Sequence, residues 1–599
     1  MKIRNYIYIV AAVLGLSSCD FLDKTPKDTI SPDTYFRTET DLQLFSNSFY
    51  SSLLDDNMFA HQSDYYIQRT LSNELRGGSV RTVPNSGGGW TWTVLRKINT
   101  LLGNINNCSD EAVVKEYTGL ARFFRAYFYF EKVKDFGDVP WIDKELGSSD
   151  PEVYAARDTR EFVMRKMLED IDYAIENLPE DITPYRVNKW AALALKSRFC
   201  LYEGTYRKYH NISFPDDPDS HDYKYYLEQS VAAGDALMSG KKYKLYSTGN
   251  PTKDYKSLFE SVNANTDEYI LAIKFDKALA IFNNTTAYSF WASQGSVGVT
   301  KKAIDSYLMK DGTRFTDKAG WQSLQFKDEV ADRDPRLAQT VITPGYSWIG
   351  TSKTYNAPRI DETMTGFQPI KFVMNLTPAL NEDANRSDRS YNDLPVYRYA
   401  EVLLNYAEAK AELGTLTQTD LDNTINLIRK RAGMPDLNME TANANPDWYL
   451  SSAEYGYKNV TGANKGVILE IRREREVEMA QEGTTRMDDL FRWKEGLCID
   501  QKMYGFYIPG PGEYDLSGDG VADICLYSGE KPNSTCPIVW EIGKDVYLSD
   551  GDKGFFDPQQ NVEHNFDESR DYLYPIPIND RSLNHNLTQN PGWVDGLDF

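Results

Sequence analysis

An acidic loop near the C-terminal end carries side chains that could bind a metal ion. Four oxygen-bearing residues occupy positions 1, 3, 5 and 9 of a calcium-type loop, with Gly520 at position 6: Asp515, Ser517, Asp519 and Asp523. Position 12 is Leu526, so the bidentate glutamate of an EF-hand is missing. The loop predicts a structural calcium ion, and an ordinary Asp-Gly turn without metal explains the same residues. We expect the chain to require no other cofactor.

Motifs for catalysis are absent from the sequence. It contains no Gly-x-Ser-x-Gly elbow, His-Glu-x-x-His pair or glycine-rich phosphate loop. Its five histidines are scattered: His61, His210, His221, His564 and His585. A glycoside hydrolase would need only two carboxylates across a cleft, but with 88 acidic residues any pair can be imagined. We therefore predict no catalytic residue and keep a surface glycosidase as the alternative.

A glycine run presents the first candidate for ligand contact. Residues 87–89 are all glycine and precede Trp90 and Trp92. Sugar rings stack their C–H faces on aromatic side chains, and an indole loses little conformational entropy on binding. The sequence predicts that Trp90 contacts ligand.

The N-terminus predicts export and lipid attachment. Lys2 and Arg4 precede an apolar run over residues 7–16, and Leu-Ser-Ser then leads to Cys19. A basic start, a short apolar stretch and small residues describe a signal peptide, and about ten residues are too few to span a bilayer. The cysteine matches a bacterial lipobox, so we expect residues 1–18 to be removed and Cys19 to be acylated.

The net charge and the number of cysteines indicate which partners the chain disfavours and whether disulfides stabilise it. The formal net charge of −22 disfavours nucleic acid as a partner. With Cys19 lipidated, five cysteines remain, and an odd number cannot pair completely. A Cys525–Cys536 bridge is left open. Because a chain of 599 residues can bury a large core, it does not need disulfides for stability.

Helical periodicity dominates both ends of the chain. Helices are predicted over six segments: residues 111–136, 158–177, 190–202, 223–238, 395–413 and 467–494. The last segment is a helix or a helix pair. Between residues 241 and 394, Gly, Pro, Asn and Thr become common and the periodicity fades. We predict a mainly α fold, in which tetratricopeptide-like helix pairs support an irregular, loop-rich ligand-binding lobe. The predicted regions are residues 19–240, 241–394 and 395–599.

Three motifs resemble those of the SusD/RagB family of Bacteroidetes outer-membrane proteins. The first is RFFRAYFYF over residues 122–130, continuing to FGDVP over 136–140. The second joins Glu474-Arg475 and Glu482-Gly483 to RMDDLFRWK over 486–494, with one residue more than usual before Arg486. The third is YLYPIP over 572–577 with QNPGW over 589–593. The motifs look structural, and we expect Arg475, Arg486 and Arg492 to form buried ion pairs.

The resemblance implies a function without catalysis. It implies a surface lipoprotein of the outer membrane, held by its lipid anchor, with Asp20 and Asp23 resembling the acidic export signal that follows the acylated cysteine. It also implies a SusC-like TonB-dependent transporter as partner and an oligosaccharide or peptide as ligand. Relatives place binding aromatics in the central lobe, where this chain offers Trp291, Trp321, Tyr346 and Trp348. A helical scaffold that binds only proteins is the third interpretation.

Overall fold

The computed structural model describes residues 35–54 and 61–599. Cys19, Asp20 and Asp23, with the predicted signal peptide, lie outside these ranges. The described residues form twenty α-helices of at least one turn. The N-terminal seven are α1 Glu39–Leu53, α2 Asn73–Arg76, α3 Thr93–Asn104, α4 Glu111–Phe136, α5 Arg160–Asn177, α6 Lys189–His210 and α7 Tyr223–Ser239. Within the described ranges, no helix is long and apolar enough to cross a membrane.

The middle of the chain is irregular. Its six helices are short: α8 Asp254–Glu260, α9 Thr285–Phe290, α10 Lys301–Ser306, α11 Phe326–Val330, α12 Leu337–Thr340 and α13 Pro378–Ala384. Seven helices follow, of which α14 and α18 are the long ones: α14 Tyr399–Leu413, α15 Gln418–Asp422, α16 Ile425–Arg431, α17 Met439–Ala444, α18 Lys465–Glu478, α19 Thr485–Arg492 and α20 Ile578–Leu583. The prediction of a mainly α fold with tetratricopeptide-like helix pairs is confirmed. The predicted region boundaries after residues 240 and 394 stay a prediction.

Short strands form five small sheets among the described residues. The antiparallel pairs are β1 Tyr66–Ile67 with β3 Gly298–Val299, β2 Tyr269–Ile273 with β6 Leu394–Arg398, β4 Trp348–Ile349 with β5 Thr354–Tyr355, and β7 Tyr507–Ile508 with β11 Gly554–Phe555. The fifth sheet contains β8 Gly512–Tyr514, β9 Ile524–Tyr527 and β10 Ile538–Glu541. Cys525 lies opposite Val539 in that sheet. Cys525 and Cys536 are both free thiols, so the bridge left open by the sequence is not formed.

Helix α4 is the central helix of the N-terminal region. Asp110 caps its first turn by accepting hydrogen bonds from the amides of Ala112 and Val113. It ends where Gly137 adopts φ +72°, a conformation that favours glycine. Its aromatic side chains are buried against α1, α3 and α5. Helix α4 is therefore buried on more than one side, between these neighbouring helices.

Helices α6 and α7 approach each other closely. A Cβ atom placed on Gly204 of α6 would lie 2.7 Å from Leu227 Cγ of α7, so only glycine fits there. α6 also runs eight residues beyond the predicted end at Tyr202, to His210. Residues 203–210 extend the helix beyond its predicted end, and Glu203 and Arg207 are buried there as an ion pair of 2.6 Å.

The helix predicted to begin at Pro395 begins later. Residues 394–398 form β6, and α14 starts at Tyr399. Proline disfavours helical geometry in the residue before it, and Val396 and Tyr397 suit a strand. The strand places Arg398 at the junction of β2, α14 and α18, where its side chain is fully buried.

Candidate ligand-binding site

The aromatic cluster of the central lobe is built on the β4–β5 hairpin and the end of α9. Phe290 stacks on Tyr355 with ring centres 4.0 Å apart and an interplanar angle of 7°. Trp348 packs edge-on against Phe290 and is 0% exposed. Its indole Nε1 donates a hydrogen bond of 2.9 Å to the carbonyl oxygen of Met374. Trp348 is therefore the floor of the cluster and presents no ring face to a ligand, which corrects the sequence expectation.

Trp291 and Tyr346 form the outer layer of the same cluster. Both are half-buried against it, and Lys353 Nζ lies 5.5 Å from the ring centre of Trp291. Trp291 Nε1 and the Tyr346 hydroxyl are buried without a hydrogen-bond partner among the described residues. Burial raises the pKa of Tyr346, so its hydroxyl stays protonated. A buried donor without a hydrogen-bond partner costs free energy. These two donors therefore favour a bound water or a ligand hydroxyl as acceptor. A ligand role for these two residues stays a prediction.

Trp90 is a packing residue in this structure. It is 6% exposed, and its ring lies edge-on to Phe136 of α4 at 4.9 Å and to Trp92 at 5.2 Å. The Lys132 ammonium donates a hydrogen bond to the carbonyl oxygen of Gly89, which ties the glycine run to α4. The expectation that this run presents Trp90 to solvent is wrong because the same flexibility lets it fold back onto the helix.

Trp321 is also buried, at 7% exposure, beneath a second aromatic cluster. It contacts three aromatic residues of the segment before α18: Trp448, Tyr449 and Tyr455. Trp448 is 45% exposed and is the one exposed residue among eleven tryptophans, all of which lie in the described ranges. Trp448 is not among the residues that the sequence predicts to contact ligand. Its position after Asn445-Pro446-Asp447, in a break between helical patterns, was the available signal.

The carboxylates of the predicted calcium loop accept hydrogen bonds from amides of the loop. Asp515 accepts hydrogen bonds from the amides of Gly518 and Gly520 and pairs with Lys327 Nζ at 3.0 Å. Asp523 accepts from the amides of Leu516 and Ser517, and Asp519 accepts from Val521. Within the described ranges, no group of three or more acidic, histidine or cysteine side chains has the arrangement of a metal site. Calcium binding here stays a prediction, which calorimetric titration of chelator-treated protein would test.

The second sequence motif forms a buried ionic network. Arg475 pairs with Asp489 at 2.7 Å, and Arg492 pairs with Glu408 at 2.5 Å. Arg486 joins Asp64 at 2.6 Å, linking α19 to the N-terminal segment. The side chains of these arginines are at most 9% exposed. The predicted buried ion pairs are therefore confirmed, and they fix helix positions.

Glu478, at the end of α18, joins three arginines from other parts of the chain. Its carboxylate lies 2.6 Å from Arg398, 2.5 Å from Arg431 and 3.2 Å from Arg336. Burial by itself would raise the pKa of Glu478, but Arg431, Arg398 and Arg336 outweigh it and hold that pKa well below its usual range. The carboxylate stays ionised and holds the central lobe to the C-terminal helices.

Two adjoining cavities lie between α4, α6 and the α18–α19 turn, with volumes of about 200 and 250 Å³. Six residues line both: His61, Glu131, Lys134, Tyr202, Thr484 and Asp488. Asp135 lines the larger one, and burial, reinforced by Glu131, raises its pKa to about 7. A carboxyl group with a raised pKa at the wall of a cavity is an arrangement that a general acid could use.

The Asp135→Asn variant tests that titration. A carboxyl group whose pKa is higher in the folded than in the unfolded state makes folding less favourable as pH rises from about 4 to about 7. At about 1.4 kcal/mol per pKa unit, we expect the variant to exceed the wild type in stability at pH 8 by roughly 1–4 kcal/mol, and to match it near pH 4. Urea unfolding at both pH values measures this, with exposed Asp216→Asn as control. Equal stabilities at pH 8 would contradict the assignment.

Comparison with known proteins identifies the family. The profile of the SusD family matches residues 257–593, and a profile described as "Starch-binding associating with outer membrane" matches residues 20–201. SusD-like protein P2 of Formosa agariphila is 22% identical, over 98% of this chain and 99% of its own length. SusD-like protein P25 of the same organism is 25% identical over 34% of this chain and 44% of its own length.

Solved structures agree on the fold. A SusD-like protein of Bacteroides fragilis superposes with a TM-score of 0.67 at 21% identity, covering 95% of this chain and 100% of that chain. A second protein of that organism, described as a SusD-like carbohydrate-binding protein, gives 0.67 at 21% identity, covering 93% and 100%. Since the family profile spans more than half of the sequence, this chain belongs to the SusD family.

Proposed function

We propose that this protein is a surface lipoprotein that captures oligosaccharide and delivers it to a TonB-dependent transporter without chemical change. The observation that carries the proposal is the match to the SusD profile over residues 257–593 together with the outer-membrane, starch-binding profile over 20–201. The carbohydrate-binding description of the Bacteroides fragilis neighbour supports the ligand class.

The chemistry of the central-lobe cluster suits a sugar. Trp291 offers a partly exposed ring, and Trp291 Nε1 and the Tyr346 hydroxyl are donors without partners among the described residues. Rings provide apolar area, while such donors read hydroxyl groups. A RagB-like peptide ligand is the alternative, since backbone carbonyl groups could accept the same hydrogen bonds.

Attachment to the outer membrane is proposed through acylated Cys19. Several acyl chains, at about 0.8 kcal/mol per buried CH₂ group, give a stable anchor. The lipid would keep the folded body beside a SusC-like barrel, so that ligand is released next to an import route. This geometry favours a capture protein over an enzyme that releases products into the medium.

A glycan array of the purified protein tests the ligand class, and co-purification from membranes tests the partner. We expect retention of oligosaccharides and recovery of one large outer-membrane barrel with the tagged protein. Peptide binding in place of glycan binding would favour the RagB-like alternative. A glycoside hydrolase with Asp135 as its general acid would instead release new reducing ends, and the Asp135→Asn variant would abolish them.

A further inference from the structure

The exposed aromatic surface before α18 is a second candidate for sugar contact. We call it the Trp448 platform: Trp448 and Tyr455 at the surface, with Tyr449 and Trp321 beneath. Trp448 is 45% exposed, whereas Tyr449 and Trp321 are 2% and 7% exposed. Tyr455 is half-buried and stacks on Tyr449 with ring centres 4.8 Å apart and an interplanar angle of 12°. Buried aromatic rings therefore support an exposed one.

The indole of Trp448 is held in a fixed orientation. Its Nε1 donates a hydrogen bond of 2.8 Å to Asp317 Oδ1, and its ring lies edge-on to Tyr449 at 5.8 Å. The adjacent backbone is anchored by buried Asp447, which accepts from the amide of Leu450 and pairs with Arg314 and Arg473. A large aromatic side chain that is exposed and already ordered loses little entropy on binding.

Polar groups beside the ring suit a polyhydroxylated ligand. Asp317 Oδ2 has no hydrogen bond among the described residues and can accept one from a sugar hydroxyl, while Oδ1 orients the indole. The exposed charged side chains of residues 314–323 and 445–456 are Asp317, Lys318 and Glu454. Two carboxylates and one ammonium, on a protein of net charge −22, disfavour uronate and sulfate groups.

We propose that the Trp448 platform binds a neutral oligosaccharide by stacking the C–H face of a pyranose ring on Trp448, with Asp317 accepting a hydroxyl hydrogen bond. The inference rests on the proposed function and assigns to it a site outside the three family motifs. It also explains Trp321, which is the buried support of this surface. A single exposed hydrophobic residue needs no explanation. Trp448 differs because its indole is hydrogen-bonded, buried rings pack behind it, and an acceptor oxygen of Asp317, free among the described residues, lies beside it. Together these features are typical of a binding surface.

The test compares Trp448→Ala with the wild type on malto-, cello-, xylo- and manno-oligosaccharides, with oligogalacturonate as the anionic probe. Isothermal titration gives each dissociation constant. For the neutral probe that the wild type binds best, we expect Trp448→Ala to weaken binding by about ten- to thirty-fold. Trp448→Phe, which keeps a ring, should lose less than about five-fold. Tyr547→Ala removes another exposed aromatic residue, 39% exposed, and should bind as the wild type does.

The outcomes distinguish failure of the proposed function from failure of the Trp448 platform alone. Wild type that binds no oligosaccharide overturns both the proposed function and the platform. Wild type that binds, with Trp448→Ala binding equally well, overturns the platform and leaves the function in place. Tighter binding of oligogalacturonate than of every neutral probe contradicts the neutral specificity. Because Trp448 is a surface residue, circular dichroism is expected to show unchanged folding in all three variants.

Discussion

Replacing Arg398 with methionine is expected to destabilise the folded protein by about 3–5 kcal/mol, the usual cost of breaking a buried ion pair from one side. The Arg398 guanidinium is 0% exposed and contacts Glu268 at 3.0 Å, Glu478 at 2.6 Å and Glu482 at 2.7 Å. The substitution removes one positively charged partner from each of these three buried carboxylates. Methionine fills similar volume, so the loss comes from charge and hydrogen bonding rather than from a cavity.

Urea unfolding followed by tryptophan fluorescence measures the effect. The matched control is Arg96→Met, because Arg96 pairs with Glu145 at 3.2 Å while its side chain is 62% exposed. Exposed pairs contribute about 0–1 kcal/mol, so the control midpoint should stay close to that of the wild type. An Arg398→Met midpoint as high as the control's would show that the network does not stabilise the junction of the central lobe with the C-terminal helices.

Replacing Cys19 with serine is expected to remove the protein almost completely from the outer-membrane fraction. A hydroxyl group at this position cannot form the thioether that carries the lipid, and without acyl chains the described residues offer no membrane-spanning helix. Labelling cells with an alkynyl palmitate analogue, then separating the membranes, tests both attachment and location. The wild type should be labelled and sediment with the outer membrane.

Cys536→Ser is the control for Cys19→Ser. Cys536 is a free, half-buried thiol, so the change removes a cysteine without touching the proposed anchor, and label and location should match the wild type. If Cys19→Ser remains labelled and in the outer membrane, another attachment must hold the protein there. If the wild type carries no label, the lipoprotein assignment is wrong.

The helices could be predicted where the sequence pattern and the packing agree. Residues 111–136 combine an Asp N-cap, apolar side chains at helical spacing and Gly137 at the end, and the predicted bounds match α4. The charge-rich segment 467–494 is predicted to be a helix or a helix pair, and the pair is observed as α18 and α19. Periodicity is informative here because each helix buries apolar side chains against neighbours.

The candidate site could be predicted only in part, because composition does not reveal which aromatic rings reach the surface. Trp90, Trp321 and Trp348 occur in glycine-rich or irregular segments, which normally lie at the surface, yet each is buried by distant parts of the chain. Trp448 follows a short loop and is exposed. Long-range packing buries Trp90, Trp321 and Trp348, and no local pattern encodes those contacts. The sequence does identify the residues of the ionic motif, because Arg475, Arg486 and Arg492 each lie close to acidic residues in the chain.

The most direct test of capture without chemistry is to recover the ligand after binding. The purified full-length protein is equilibrated across a dialysis membrane with a fluorescently labelled oligosaccharide chosen from the array, and bound ligand is then released by denaturation and sized by mass spectrometry. Saturable binding with every recovered chain at its original length is the predicted result. Shortened chains, or labelled sugar distributed equally on both sides of the membrane, would contradict the account.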